Sequence, residues 1–405
     1  MKNTYSKETK SAQSNVKQTR SLSIEEVNDV EKFHSLKDTW NTLLRESSDN
    51  NIFLTWEWSY IWWRHFGDNK KLRILLIKEG KIIIGIAPFM QVKYRMGLMG
   101  IDVLENLCAN ECDYSGVILT DKNKGSIAVL LNYLAEIIRK SNIVIRISNI
   151  PEDSGFLQTL REQYPFSVNS VSIIENTVIS CPYINTLDSW EEYSNTLTNN
   201  GRHKINKLKR KIQKLQDNHQ IEFKHFADND DLKEHINTLF ELHQKRWEER
   251  NIYSKFLKPE VRAFYRDISE LFCENNWMDF SFLNISGKAV STGWGFIYNN
   301  RYYYMTSAFD PNYSSLNVGH MLTMRLIERA IQMGLVKFDF LKGDEFFKSY
   351  WTHRKLDNIQ IRISNKGIKG NYRVILLRLI EKYQNTKERS LRENLNITLE
   401  KLHLR

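Results

Sequence analysis

The tightest constraint in the chain is a set of three strand-forming runs with no room for a helix between them. WMDFSFLNI (277–285), AVSTGWGFIY (289–298) and RYYYMTSAF (301–309) are rich in aromatic and β-branched residues, and only Ser286-Gly287-Lys288 and Asn299-Asn300 separate them. Polar connections this short join antiparallel neighbours, so the three runs form a meander. The periodicity predicts a helix over 318–333 that stops at Gly334, then strand LVKFDFL (335–341), a short helix over 344–351 and strand NIQIRIS (358–364). Upstream, IEFKHFA (221–227) reads as a strand, followed by helices over 231–250 and 259–274, the latter opening with Pro259.

A looser copy of this order fills the first half. Helical patterns cover 30–44 and 56–66, and a hairpin, LRILLIKEGKIIIGIAPFMQV (72–92), turns at Glu79-Gly80. VLENLCA (103–109), a helix over 125–139 and IVIRIS (143–148) follow. Strands grouped ahead of helices within each half predict an α+β architecture with mixed sheets rather than regular βαβ winding. With 405 residues, two domains and flanking segments are expected: a disordered basic leader (1–22), domains over 23–185 and 186–368, and a charged helical tail (369–405). The tail's apolar patch, VILLRLI (374–380), packs on the second domain or lies weakly on a membrane surface.

The net charge of +10 is concentrated in two places. The leader carries Lys2, Lys7, Lys10, Lys17 and Arg20 against Glu8, and GRHKINKLKRKIQKLQ (201–216) holds seven cations and no acid. Such clusters attract anionic partners without choosing among them. The longest uncharged apolar run, 82–92, is too short to cross a bilayer, and 1–22 has no apolar centre resembling a signal peptide. Four cysteines rule out a disulfide scaffold, and Cys108 and Cys112 lack a second Cys/His pair, so no metal site is expected. The expected home is the cytoplasm. No G-x-S-x-G, P-loop, H-E-x-x-H or G-x-G-x-x-G motif occurs, which leaves chemistry done by positioning and backbone dipoles.

The order strand, two helices, three antiparallel strands, helix, strand, helix, strand resembles the GNAT N-acetyltransferase fold. FLTWEWSYIWWRHFG (53–67), GIAPF (85–89) and CDYSG (112–116) carry the resemblance in the first half. In the second half it is carried by GRHKINKLKRKIQKL (201–215), LHQKRW (242–247), AFDPNYSSLNVGHML (308–322) and FDFLKGDEFFKSYW (338–351). Together they make the chain similar to the CelD-like acetyltransferase group, whose members resemble the FemABX aminoacyltransferases in carrying two such folds in tandem. The resemblance implies tandem GNAT-like domains, acetyl-CoA or another acyl-CoA as co-substrate, and an amine acceptor such as a nucleotide- or lipid-linked amino sugar of polysaccharide or envelope synthesis. One alternative is FemABX-type transfer from aminoacyl-tRNA to a peptidoglycan precursor, against which the short 251–258 connection weighs. Another is a non-catalytic pair binding an anionic partner. Nucleic acid is otherwise not an expected partner. The superfamily's pyrophosphate loop, Gln/Arg-x-x-Gly-x-Gly/Ala, is represented by Ser314–Gly319, which keeps only the last glycine.

Candidate residues follow from both readings. Gly319 begins a helix whose unpaired N–H groups can hold a phosphate, with Ser315, Val318 and His320 beside it; the plain alternative is a capped helix start. In the fold so resembled, the strand ending at Ala308 and Phe309 diverges from its parallel neighbour, and backbone N–H groups there polarise the thioester carbonyl. Glu345 and Asp339 are the candidate bases for the acceptor ammonium. Asp344 reads equally as an N-cap, and Lys348 as a partner of Glu345. Arg202, Lys204 and Arg210 can meet phosphates or lie on a solvated face; Arg246 and Trp247 can clamp substrate or cover the core; Asp113 of CDYSG is carried over as substrate-binding. The tryptophans of 56–63 are expected in the core, with a sugar platform as the minor alternative.

Overall fold

Among the described residues, alternating apolar positions build thirteen strands that join in one sheet. The computed structural model describes the backbone over 21–403 except positions 110, 121–124, 168, 169, 188, 219 and 228–230, and side chains up to 386 except also 164–167 and 385. Most of the proposed leader therefore lies outside the described residues; its last position, Leu22, already opens the first strand.

The first half runs β1 (Leu22–Val27), α1 (Val30–Ser35), α2 (Lys37–Arg45), α3 (Trp56–Phe66), β2 (Lys71–Glu79), β3 (Ile82–Met96), β4 (Met99–Asn106), β5 (Ile118–Leu119), α4 (Ser126–Ser141), β6 (Val144–Pro151), α5 (Gly155–Ser167) and β7 (Val171–Asn185). The second runs α6 (Trp190–Asn195), α7 (Asn199–Asp217), β8 (Ile221–Phe226), α8 (Leu232–Glu248), α9 (Pro259–Glu274), β9 (Met278–Ile285), β10 (Lys288–Tyr298), β11 (Arg301–Phe309), α10 (Val318–Gln332), β12 (Lys337–Asp339), β13 (Lys355–Asn365) and α11 (Ile368–His403). The expected meander is β9–β10–β11, antiparallel throughout. Two expectations shrink: the strand over 335–341 is three residues long, and the helix over 344–351 is a single 3₁₀ turn, Phe346–Tyr350.

The sheet order is β1-β2-β3-β4-β6-β13-β7-β12-β11-β10-β9-β8, with β5 beside β3. β4/β6 and β11/β12 are its parallel pairs. Each half gives its last strand to the other: β13 pairs with β6, and β7 with β12, while β13 and β7 pair with each other along their length. The two folds are thereby one hydrogen-bonded unit. The tryptophan-rich helix α3 reinforces the join as core: Trp58 is fully buried and packs edge-on to Phe264 at 5.4 Å and to Phe296 at 5.8 Å. The tail is one helix, and Val374, Leu377 and Ile380 pack on Ile101, Val103 and Val144. It therefore sits on the first half's strands as well as on β13, not on the second domain alone.

Candidate acyl-transfer site

Pairing between β11 and β12 lasts three residues, Arg301↔Lys337, Tyr302↔Phe338 and Tyr303↔Asp339. Beyond Tyr303 the strands part. The last four of Tyr304, Met305, Thr306, Ser307 and Phe309 thus have no strand on that side, and all five line a cleft of about 1050 Å³. The Asp310 N–H donates to Val290 O, and Ala308 is in register with Thr292, so alternation in the antiparallel ladder turns the Ala308 amide toward β10. The amides of Ser307 and Phe309 face the cleft instead. Of the two backbone donors expected, the Phe309 amide faces the cleft and the Ala308 amide faces β10.

The corresponding slot of the first half is closed. β4 and β6 also pair over three residues, but Asn106 Oδ1 then accepts the Ser148 N–H at 3.0 Å and the Ser115 N–H donates to Asn149 O at 2.8 Å. The loop that fills this slot projects Asp113 and Tyr114 toward the second half. The Tyr114 hydroxyl donates to both Asp339 carboxylate oxygens at 2.9 Å, and Asp113 lines the open cleft, paired with Lys342 at 3.1 Å.

The cleft floor is the start of α10. Asn317 adopts the left-handed conformation, φ 64°, at the position where the superfamily pattern has its first glycine; asparagine tolerates this region better than other side-chain-bearing residues. The Val318, Gly319 and His320 amides open the helix without a side-chain cap. A Cβ on Gly319 would come within 3.0 Å of the Phe309 ring, so glycine lets the helix start approach the end of β11. α10 is fixed to the sheet by Arg329 Nη1, which donates to the buried Asp279 at 2.5 Å.

The basic helix α7 lies across the loop before α10. Its Ile205, Leu208 and Ile212 are buried, and a Cβ on Gly201 would fall 2.6 Å from Tyr350 O. Lys204 Nζ donates to Asn317 Oδ1 at 3.4 Å and Lys211 Nζ to Ser315 O at 2.5 Å. Burial, followed by neighbouring lysine charge, lowers the pKa of both lysines. Arg202 instead folds back on Asn195 O, Leu197 O and Asn199 Oδ1, while Arg210 faces solvent. Ser315 contributes its carbonyl to Lys211, and Ser314 lines the cleft in its place.

Arg246 stands over the Phe309 ring at 4.4 Å, its pKa lowered by burial and by Arg250, with Nε unbonded. Trp247 Nε1 donates to His243 Nε2 at 2.8 Å, which leaves Nδ1–H to donate to Ser254 Oγ at 2.9 Å. Burial and the Lys255 and Arg246 charges push the His243 pKa down to about 3, so this ring is a saturated neutral wall. Burial, with Lys204 and Arg246, likewise lowers His320 to about 4.

On the opposite wall Glu345 is exposed and pairs with Lys348 at 2.8 Å. Lys348 is itself buried, and its ammonium also donates to Leu341 O, Lys342 O and Gly343 O, holding a turn in which Leu341 and Gly343 have positive φ. Asp339 does not reach the cleft: it is 1 % exposed, and besides Tyr114 its Oδ1 accepts the Leu341 N–H at 2.9 Å. Asp344 is exposed outside the cleft, with Glu345 at the N-cap position. Ser307, Tyr253, Lys258 and Lys342 also line the cleft, with Lys211 beside it, and no motif in the sequence singles them out. A cation every few residues between α8 and α9 was the available signal. Among the described residues no group of three or more His, Cys, Asp or Glu is arranged to hold a metal.

With this geometry in view, residues 202–349 match the sequence profile of the acetyltransferase (GNAT) domain family. No curated protein matches the chain. Among solved structures the chain is similar to FemX, at 11 % identity over 79 % of this chain and 95 % of that one, with a TM-score of 0.54. It is also similar to a conserved protein of unknown function from Bacteroides thetaiotaomicron VPI-5482, at 13 % identity, 84 % and 100 % coverage and TM-score 0.54. The C-terminal DUF2156 domain of a putative lysylphosphatidylglycerol synthetase from Agrobacterium fabrum shares 8 % identity over 84 % of this chain and 93 % of that one, at TM-score 0.50. These likenesses speak to fold. Residues 202–349 are thus matched as a GNAT acetyltransferase domain, an acyltransferase module, and the chain as a whole shares its fold with FemX.

Proposed function

We propose that the chain moves an acyl group, acetyl first, from an acyl-CoA to the amine of an anionic acceptor such as a nucleotide- or lipid-linked amino sugar of polysaccharide or envelope synthesis. The observation that carries this reading is the parting of β11 from β12 above the uncapped start of α10. The pyrophosphate meets the Val318–His320 amides with Lys204, Lys211 and Arg246 around it, and the pantetheine runs along the free edge at Met305–Phe309. The Phe309 or Ser307 amide takes the developing oxyanion. Glu345 removes the ammonium proton; the amine lone pair attacks the thioester carbon, the C–S bond breaks and CoA thiol leaves. Arg250, Lys258 and Lys342 suit a phosphate-bearing acceptor entering from the α8–α9 side. The free buried cysteines fit a cytoplasmic setting.

A thermal-shift series with CoA, acetyl-CoA and longer acyl-CoAs tests the donor. Ligand at 100 times its dissociation constant adds about 2.7 kcal/mol of stability. No shift with any of them overturns the reading. The cationic face of α7 favours transfer from aminoacyl-tRNA as the second reading; tRNA binding that weakens steeply with salt supports it.

A further inference from the structure

A helix lying on a protein surface is ordinarily apolar toward the core and polar toward water. Over 368–384, α11 is apolar on both sides. Val374, Leu377 and Ile380 are buried against the sheet, yet Ile368, Tyr372, Ile375, Leu379 and Tyr383 are 45–89 % exposed. At 3.6 residues per turn these five fall within an arc of about 80°, opposite the buried face. Exposed cations border the arc, with Lys369 on one side and Arg378 and Lys382 on the other. The one acid of this segment, Glu381, is turned inward and ion-paired with Arg146 and Arg362.

The neighbouring β3–β4 hairpin adds apolar surface: Tyr94, Met96 and Ile101 share the apolar cluster beneath α11, while Leu98 and Met99 at the turn project into solvent; Lys93 and Arg95 alternate onto the sheet's other face.

We propose that this face docks the protein on an anionic lipid bilayer, with α11 lying in the interface and the hairpin tip inserting beside it. Apolar residues in one stripe, tyrosines among them, flanked by lysine and arginine, suit the boundary between acyl chains and anionic headgroups. Charge argues against the other occupants. A second copy would set the same cations against themselves, and residues 1–20 bring five more cations and one acid to a surface already positive.

The test is co-sedimentation of the full chain with vesicles of phosphatidylcholine alone or mixed with phosphatidylglycerol. Partitioning should be at least about tenfold stronger on the anionic vesicles and weaken with salt. Ile375→Gln with Leu379→Gln leaves the net charge unchanged and should reduce partitioning about tenfold or more; Leu98→Gln should reduce it independently. Circular dichroism of each variant checks that the fold is retained. Absence of partitioning overturns the proposal. So does partitioning indifferent to the paired glutamines, which would assign binding to the basic leader. A concentration-dependent dimer dissolved by those glutamines would give the stripe to a second copy and also overturn it.

Discussion

Lys204 on α7 donates its ammonium to the side chain of Asn317, the left-handed residue that turns the chain into α10. One contact thus joins the basic helix to the candidate phosphate site. Because Asn317 stands where glycine is usual, Asn317→Gly should fold with stability changed by only a few tenths of a kcal/mol. Asn317→Val should cost about 1–2 kcal/mol and raise the KM for acyl-CoA. Chemical denaturation beside steady-state kinetics separates the two effects.

Lys204 and Lys211 are the α7 cations that reach the loop before α10. Lys204→Ala and Lys211→Ala should each weaken acyl-CoA binding about tenfold, the worth of a charge-assisted contact. Arg210→Ala, on the solvent face, should change it less than about twofold. Equilibrium titration with CoA and with a phosphate-free pantetheine thioester checks the assignment. Equal losses on both ligands would exclude a phosphate role.

Sequence pattern made this site partly legible. The meander, the helix stop at Gly334 and the apolar face of α7 are local signals, and the structure follows them. Which cations of α7 point at α10 is set by tertiary packing, and no periodicity encodes it. Alternation correctly separated Asp339 from Phe338 and Phe340, but the partner on its side, Tyr114, comes from 225 residues away. The exchange of β7 and β13 was equally hidden, because strand partnership across halves leaves no trace in either strand's composition.

Glu345→Gln keeps a hydrogen-bonding group near Lys348 and removes the proton acceptor. kcat should fall about 100-fold or more, with KM for acyl-CoA within about twofold. Unchanged kcat would hand the proton to solvent or another group.

Acid should destabilise the fold early. Burial lowers His225 to about 4, His243 to about 3 and His320 to about 4, all below the ordinary 6.5. The unfolded chain therefore binds more protons than the folded one in this window. The stabilisation is complete above pH 6.5 and is lost as pH falls toward 4, and toward 3 for His243. The slope for His243 is about 1.4 kcal/mol per pH unit. Melting temperatures across pH 4–7 should fall with acid, and His243→Gln should flatten the trend.

Asp339 is held for a different purpose from Glu345. Its carboxylate accepts the Tyr114 hydroxyl and the Leu341 amide, so it fixes the point where β12 ends and ties that point to the first half's loop. Burial and the Asp339 charge keep Tyr114 protonated far above its usual range, and the hydroxyl remains a donor. Tyr114→Phe should cost about 1–3 kcal/mol, because the buried carboxylate loses one donor and keeps only the Leu341 amide and Lys337. Asp339→Asn should behave alike: lower stability and only a modest fall in kcat. A kcat loss as large as that of Glu345→Gln, with the fold retained, would instead make Asp339 the base and require the cleft to open toward it.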